Sequence, residues 1–498
     1  MRIHPRLAVF ALAFSLLSCA QVAHDAANSA TTKARVEAAL ARLLATDALA
    51  NARIGVEVKD LATGERLVVH DADKGFLTAS NMKLVSTAVA LATLSPSFRW
   101  RTRVVASSSS LATDGVIAGD VFLVGGGDPS LGGPPRAEGS VGDGLDALAE
   151  QLHRRGVRRI TGSVRGDASG EPFPIYGSGW QWDYLEEDYA APSCGLGYAL
   201  NVAEVRVHAT ADGCAATISC TPDVALPWIS LRVATVAKDA PTKIRFYRVP
   251  HSDTLVVEGS IAEGSKPYRV PAAVGDPAQF AAAAFANALH RRGIAVEGGE
   301  PTSMRAPAGC VELASHASAP LSEVAVPLMA NSINLYAEQA WRAAAFHGKG
   351  LGTFAECERH AIATLRSMGV PTDGMVLADG SGLSRRNLVQ PRQFVALLAH
   401  AHGDAAMDSL RKGLPVAGES GTLRSRFQRG AAKGHVRAKT GFISYVVALS
   451  GYVDKKDGSA PFAFSVLCNN FTCESDRAKA AVDAFVEELA ACAGWRAD

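Results

Sequence analysis

Ser80 and Lys83 stand three residues apart, just ahead of an apolar run that ends at Leu94. Side chains three apart share one face of a helix, so this spacing predicts a hydroxyl and an amine meeting at a helix start. A serine hydroxyl becomes a nucleophile when a neighbouring base takes its proton. A lysine is that base when desolvation or nearby cations hold it partly neutral. One S-x-x-K alone is cheap, since about one is expected by chance in a chain of this length and average composition. Two more short motifs follow in order, Ser332-Ile333-Asn334 and Lys439-Thr440-Gly441. Singly, each has an ordinary reading: a solvated lysine, polar positions on a helix, the edge of a strand. Jointly they supply every part of an acyl transfer.

In that chemistry Ser80 attacks a carbonyl and becomes acylated, with Lys83 as the base. Ser332 relays a proton between Lys83 and the leaving amine, and Asn334 donates to Lys83 or to a substrate amide. Lys439 adds positive field that favours neutral Lys83 and binds a substrate carboxylate, which Thr440 also hydrogen-bonds. Gly441 has no side chain, so an extended substrate can lie along its strand. The backbone N–H groups of Ser80 and Phe442 would form an oxyanion hole.

These residues need rigid elements beneath them. Leu84, Val85, Ala88, Val89, Leu91 and Leu94 predict a mostly buried helix behind the pair. Residues 54–60 and 65–70 alternate as two strands around Ala62-Thr63-Gly64, a β-hairpin. From about Ser95 to Asp276 short strands alternate with Gly, Asp and Ser turns. From Pro277 helices return, including one from Pro327 to His347 that carries Ser332 and Asn334. The chain closes with strands around Lys439, Val446 and Phe462, then an amphipathic helix from Ser475 to Cys492. A helix and hairpin at the start thus match strands and a helix at the end. The fold class is α+β, with one antiparallel sheet built from both chain ends and the middle inserted into it. Leu152-His-Arg-Arg-Gly-Val157 and Leu289-His-Arg-Arg-Gly-Ile294 echo each other as reused helix-stop chemistry rather than a repeat.

Composition narrows the field. The 498 residues are 48% hydrophobic and 20% charged, enough apolar content for a large core. The net charge of +1 leaves no basic excess to neutralise phosphates, which argues against a nucleic-acid partner. The thirteen histidines form no H-E-x-x-H, so a zinc peptidase is disfavoured, and no metal or cofactor is called for. Gly125-Gly-Gly-Asp-Pro-Ser130 lacks the pattern of a phosphate loop, and a Ser-His-Asp hydrolase fits poorly without G-x-S-x-G. Arg2, His4 and Arg6 followed by the apolar Leu7–Leu17 read as an export signal over residues 1–20, with a polar tether over 21–31. Two processing routes stand open: cleavage after Ala20, or a lipobox at Leu16-Leu17-Ser18-Cys19 in which Cys19 carries a lipid anchor. Apart from Cys19 the cysteine count is even, which permits disulfides in an exported chain, Cys214 with Cys220 being the leading local pair and Cys468 with Cys473 a second.

The three motifs in this order resemble the signature of penicillin-binding proteins and serine β-lactamases. The chain is most similar to the class C low-molecular-mass penicillin-binding proteins, the D-alanyl-D-alanine carboxypeptidase/DD-endopeptidase family. The likeness is carried by Ala79-Ser-Asn-Met-Lys-Leu84, Gly119-Asp-Val-Phe-Leu-Val-Gly-Gly-Gly-Asp-Pro129, Trp180-x-Trp182-Asp183, Asn334-Leu-Tyr-Ala-Glu338, Asp379-Gly-Ser-Gly-Leu-Ser-Arg385 with Asn387, and Arg437-Ala-Lys-Thr-Gly441. The resemblance implies a transpeptidase/β-lactamase-like domain with helices on both faces of its sheet, formed by residues 32–95 and 277–498. Two β-rich domains would be inserted at 96–276. It also implies that Asp183, Arg385 and Ser444 surround the far end of a substrate side chain, suited to a zwitterionic terminus. Expected partners are peptidoglycan stem peptides, with β-lactams as inhibitors, and the expected location is the periplasm or cell envelope. Two departures stand out: Ile333 where the family usually has Asn, and bulky Phe442 after Gly441. The competing readings are a β-lactamase or esterase on the same fold, and a non-catalytic wall-binding homologue.

Overall fold

A computed structural model describes residues 31–108, 114–133, 144–171, 173–225, 227–249, 252–349 and 352–496. The export signal, Cys19 and nearly all of the tether lie outside these described residues. The chain divides into two units. One comprises the chain up to Asn81, Val389–His400 and Leu414–Asp498; the other comprises Met82–Leu388 and Ala401–Gly413.

The first unit is built on a five-stranded antiparallel sheet in the order Val436–Ile443, Val446–Val453, Phe462–Asn469, Arg53–Asp60, Arg66–His70. Both chain ends contribute, as the sequence pattern implied. The second and third of these strands are buried along their whole length, which requires a cover on each face. On one face lies the helix Ser475–Cys492, which buries Ala478, Val482, Phe485, Val486 and Leu489 at helical spacing. Val36, Ala39 and Leu43 of the helix over residues 31–44 share that core. On the other face, Gly55 leaves no room for a side chain: an added Cβ would stand 2.4 Å from the Phe76 ring and 2.8 Å from Pro391. Pro391 opens a helix whose Phe394 and Leu398 are buried, and Tyr452 OH donates to Leu398 O.

The second unit contains the inserted β-rich region and a group of helices. Its largest sheet has the order Thr302–Ser303, Val164–Asp167, Val121–Val124, Arg101–Ser107, Cys310–Ala317. Among the described residues, three smaller sheets of three strands each accompany it. Strand pairing therefore carries the inserted region beyond residue 276, to Ala317. The helix Pro277–Arg291, read from sequence as the start of the second catalytic segment, packs Phe280, Phe285 and Leu289 into the core that also holds Leu148 and Val164. The return of helical periodicity at Pro277 misplaced the boundary, because this helix covers the inserted sheets. The two echoed helix ends have a structural counterpart. Val157 N–H bonds to Leu152 O and Ile294 N–H to Leu289 O, and the strands that follow pair in parallel, Arg159 with Ala295 and Ile160 with Val296.

The single helix expected over Pro327–His347 is two, Leu321–Asn331 and Asn334–Lys349. Ser332 sits between them in the left-handed region at φ 59°. Cys194, Cys214, Cys220, Cys310, Cys357, Cys468, Cys473 and Cys492 are all free thiols, so neither the expected Cys214–Cys220 bridge nor a Cys468–Cys473 bridge is formed. The Cys220 thiol instead donates towards the carbonyls of Pro222 and Val224, at 3.1 and 3.0 Å.

Candidate active site

In the first unit the backbone sets the geometry. The strand Val436–Ile443 pairs Lys439 with Ser450, Thr440 with Leu449 and Gly441 with Ala448. Ser80 lies in a short 3-10 turn, Ala79–Asn81, entered through Ala79 at φ 43°. Asn81 is fully buried and its Nδ2 donates to Ser450 Oγ at 2.6 Å, tying the turn to the sheet. Just upstream, Asn469 clamps both backbone groups of Leu77: Oδ1 accepts its N–H and Nδ2 donates to its oxygen. Gly441 is where the strand meets this turn. A Cβ there would stand 2.8 Å from Thr78 O and 3.2 Å from Ala79 Cβ, closer than packed atoms tolerate. Glycine at this position thus serves the approach of the turn.

Lys439 is fully buried and its Nζ donates to Thr440 O at 2.9 Å. Thr440 Oγ1 shares a hydrogen bond of 2.7 Å with Thr422 Oγ1. Phe442 points outward, about half exposed, with Lys479 Nζ 4.4 Å from its ring centroid. Ser444 is exposed in the turn after this strand. Ser80, Lys439, Thr440, Gly441, Phe442 and Ser444 therefore belong to one unit.

The second unit holds Lys83, Ser332, Asn334, Asp183 and Arg385. Lys83 occupies the first turn of the helix Met82–Leu94, is fully buried, and donates to Asn334 Oδ1 at 2.6 Å and Ser381 O at 2.8 Å. Burial pushes its pKa down to about 7, against the opposing pull of the Asp379 and Glu338 charges. Desolvation is thus the leading cause of its being partly neutral near pH 7. Asn334 behaves differently from the expectation that it would donate to Lys83. Its oxygen accepts from the amine and its Nδ2 donates to Tyr189 O at 2.6 Å. The helix break at Ser332 makes this arrangement. It turns the serine and Asn334 onto successive corners of a bend, beside a cavity of about 320 Å³ that Tyr189 and Leu200 also line.

The loop from Asp379 to Asn387 supplies the residues that motif spacing did not single out for a role. Asp379 is fully buried and its oxygens take the N–H groups of Gly382 (2.9 Å) and Ser384 (2.6 Å), Asn387 Nδ2 (2.6 Å) and Trp180 Nε1 (2.9 Å). Glu338 Oε1 accepts from the N–H groups of Gly380 and Ser381, at 3.1 and 2.8 Å. Its own pKa is raised to about 7 by burial and then by the Asp379 charge. Ser381 is thus held at its N–H while its oxygen holds Lys83. Arg385, on the same loop, donates Nε to Gln181 Oε1 at 2.9 Å, two residues before the exposed Asp183. The cue available in the sequence was the density of Asp, Gly, Ser and Asn in residues 379–387, which marks turns that bond to their own backbone.

Residues 36–491 match the model of the D-Ala-D-Ala carboxypeptidase 3 (S13) family. The chain is 34% identical, over 98% of its length and 90% of the relative's, to a D-alanyl-D-alanine carboxypeptidase of Actinomadura sp. (strain R39). The crystal structure of penicillin binding protein 4 (dacB) from Haemophilus influenzae superposes with a TM-score of 0.77 at 23% identity, covering 91% of this chain and 98% of the other. Its complex with a novel β-lactam superposes with a TM-score of 0.70 at 23% identity, with the same coverage.

Proposed function

The chain belongs to the D-Ala-D-Ala carboxypeptidase 3 (S13) family, and on that premise we propose that Ser80 is its acylating nucleophile and Lys83 the base. The reaction is that of a serine DD-peptidase acting on peptidoglycan peptides, and β-lactams are its inhibitors. Ser80 Oγ attacks the carbonyl of the penultimate D-Ala while Lys83 Nζ takes the hydroxyl proton. The C–N bond breaks, Ser332 passes the proton to the departing amine, and water then hydrolyses the acyl-Ser80 ester. The N–H groups of Ser80 and Phe442 receive the developing oxyanion. Lys439 and Thr440 hold the terminal carboxylate, and the substrate backbone runs along Gly441. Asn334 orients the Lys83 amine. Asp183, Arg385 and Ser444 meet the far end of the stem-peptide side chain, including that of a cross-linked peptide, where the same chemistry acts as an endopeptidase.

One observation carries this reading. The amine three residues after Ser80 is buried, fixed by two acceptors, and brought to a pKa of about 7. A proton acceptor tuned to the working pH is what the step requires. The enzyme acts on the cell wall. We place it in the periplasm or outer envelope, delivered by the signal over residues 1–20, with Cys19 the residue a lipid would take. The test is D-alanine release from a peptide ending in D-Ala-D-Ala. We expect release by the mature protein and none by Ser80→Ala. Equal release by both would refute the assignment of Ser80, and hydrolysis of nitrocefin without peptide cleavage would support a β-lactamase instead.

A further inference from the structure

The loop Asp379–Asn387 has two working ends. At one, Ser381 O holds the Lys83 amine. At the other, Arg385 reaches Gln181 beside Asp183. Between them sits the Asp379 carboxylate, which accepts from Ser381, Gly382, Ser384 and Asn387 of the loop itself. The exception is Trp180, which reaches in from the inserted region and donates its indole N–H to Asp379 Oδ2 at 2.9 Å. The approach is built for it. A Cβ on Gly177 would stand 2.2 Å from the indole nitrogen, and one on Gly179, at φ 81°, would stand 2.9 Å from Ser384 Oγ. Ser384 Oγ donates to Ser178 O at 2.6 Å and Arg386 NH1 to Ser178 Oγ at 3.1 Å, so the two segments are stitched together at several points.

We propose that Trp180 is a positioning residue that couples the Gln181–Asp183 stretch to Lys83, through Asp379 and the Ser381 carbonyl. The inference rests on the reading of Lys83 as base and of Asp183 with Arg385 as the side-chain site. A ligand engaging Asp183 and Arg385 steadies the stretch and the loop together, and the loop holds the Lys83 amine through the Ser381 carbonyl. Occupancy of the far site then raises the rate of acylation beyond what added affinity gives. Trp180 acts through its N–H, not through contact with the ligand.

The test uses the full mature protein and two penicillins, one with a zwitterionic aminoadipyl side chain and one with a phenylacetyl side chain. Acylation is followed at increasing drug concentration, so that the maximal rate and the half-saturating concentration are read separately. The wild type should acylate faster with the zwitterionic drug. Trp180→Phe keeps a ring and loses the N–H. It should lower the maximal rate with that drug about tenfold, while half-saturation stays within about twofold. Ser384→Ala, which removes one stitch, should lower the same maximal rate by a smaller factor, and it decides the matter if Trp180→Phe does not fold. A wild-type maximal rate in the variants, or a change confined to half-saturation, overturns the coupling and leaves the Ser80 assignment standing. No adduct in the wild-type protein overturns both.

Discussion

The two units hold their candidate residues by different means. In the first, Lys439, Thr440 and Gly441 are located by a backbone ladder with fixed partners in the next strand. Their positions follow from register, and a strand shifted by one residue would turn every side chain to the other face. In the second, Lys83 is located by side chains and a loop: Asn334, Ser381 held by Glu338, and Asp379 filled by five donors. A ladder spreads its support over many equivalent bonds. A hub concentrates it on one buried charge, whose loss strands every donor around it. The first arrangement should therefore tolerate single side-chain changes, and the second should not.

The sharpest break comes at the amine itself. Lys83→Met keeps the length and apolar stem and removes the proton acceptor. The acylation rate should fall by about 10⁴, the upper range for a general base, as read from the time course of β-lactam adduct formation. An effect under tenfold would mean that another group takes the Ser80 proton.

Next comes the contrast between ladder and hub. Asp379→Ala leaves five donors without their acceptor, and the free energy of unfolding in denaturant should fall by about 3–5 kcal/mol. Thr440→Val on the strand loses one shared hydroxyl bond to Thr422 and should cost about 1 kcal/mol. Equal losses in the two variants would erase the distinction between the units.

The smallest effect is in pH. Lys83 is held down at about 7 by burial. Its neutral, proton-accepting form prevails above that pH and is lost as pH falls through it. The acylation rate should drop about tenfold for each unit below the midpoint. A midpoint near the ordinary lysine value would show that burial does not bring the Lys83 amine to neutrality near pH 7.

How much of this was legible in the sequence follows the same division. The hairpin Arg53–His70, the strands around Lys439, Val446 and Phe462, and the closing helix all read correctly, because alternation and helical periodicity report directly on burial. Ser80, Lys83, Ser332, Asn334 and Lys439 emerged as candidates from three short motifs in the order of a known signature. The break at Ser332 did not, because neither Gly nor Pro marks it and the apolar pattern runs on through Leu335. The reach of the inserted region to Ala317 was hidden, since the helix at Pro277 has the same periodicity whichever sheet it covers. The Asp379 hub was visible only as a family motif and a turn-rich string, without the bonds that join it. Its partners Trp180 and Glu338 lie far away in sequence, and side-chain networks leave no period to read.

The most direct measurement is the mass of the mature protein and its Ser80→Ala variant after incubation with a penicillin, intact and after digestion. The account predicts one covalent adduct on the peptide that contains Ser80, with no adduct on the variant. An adduct on a different residue, or an unmodified Ser80 with the drug intact or hydrolysed, would contradict it.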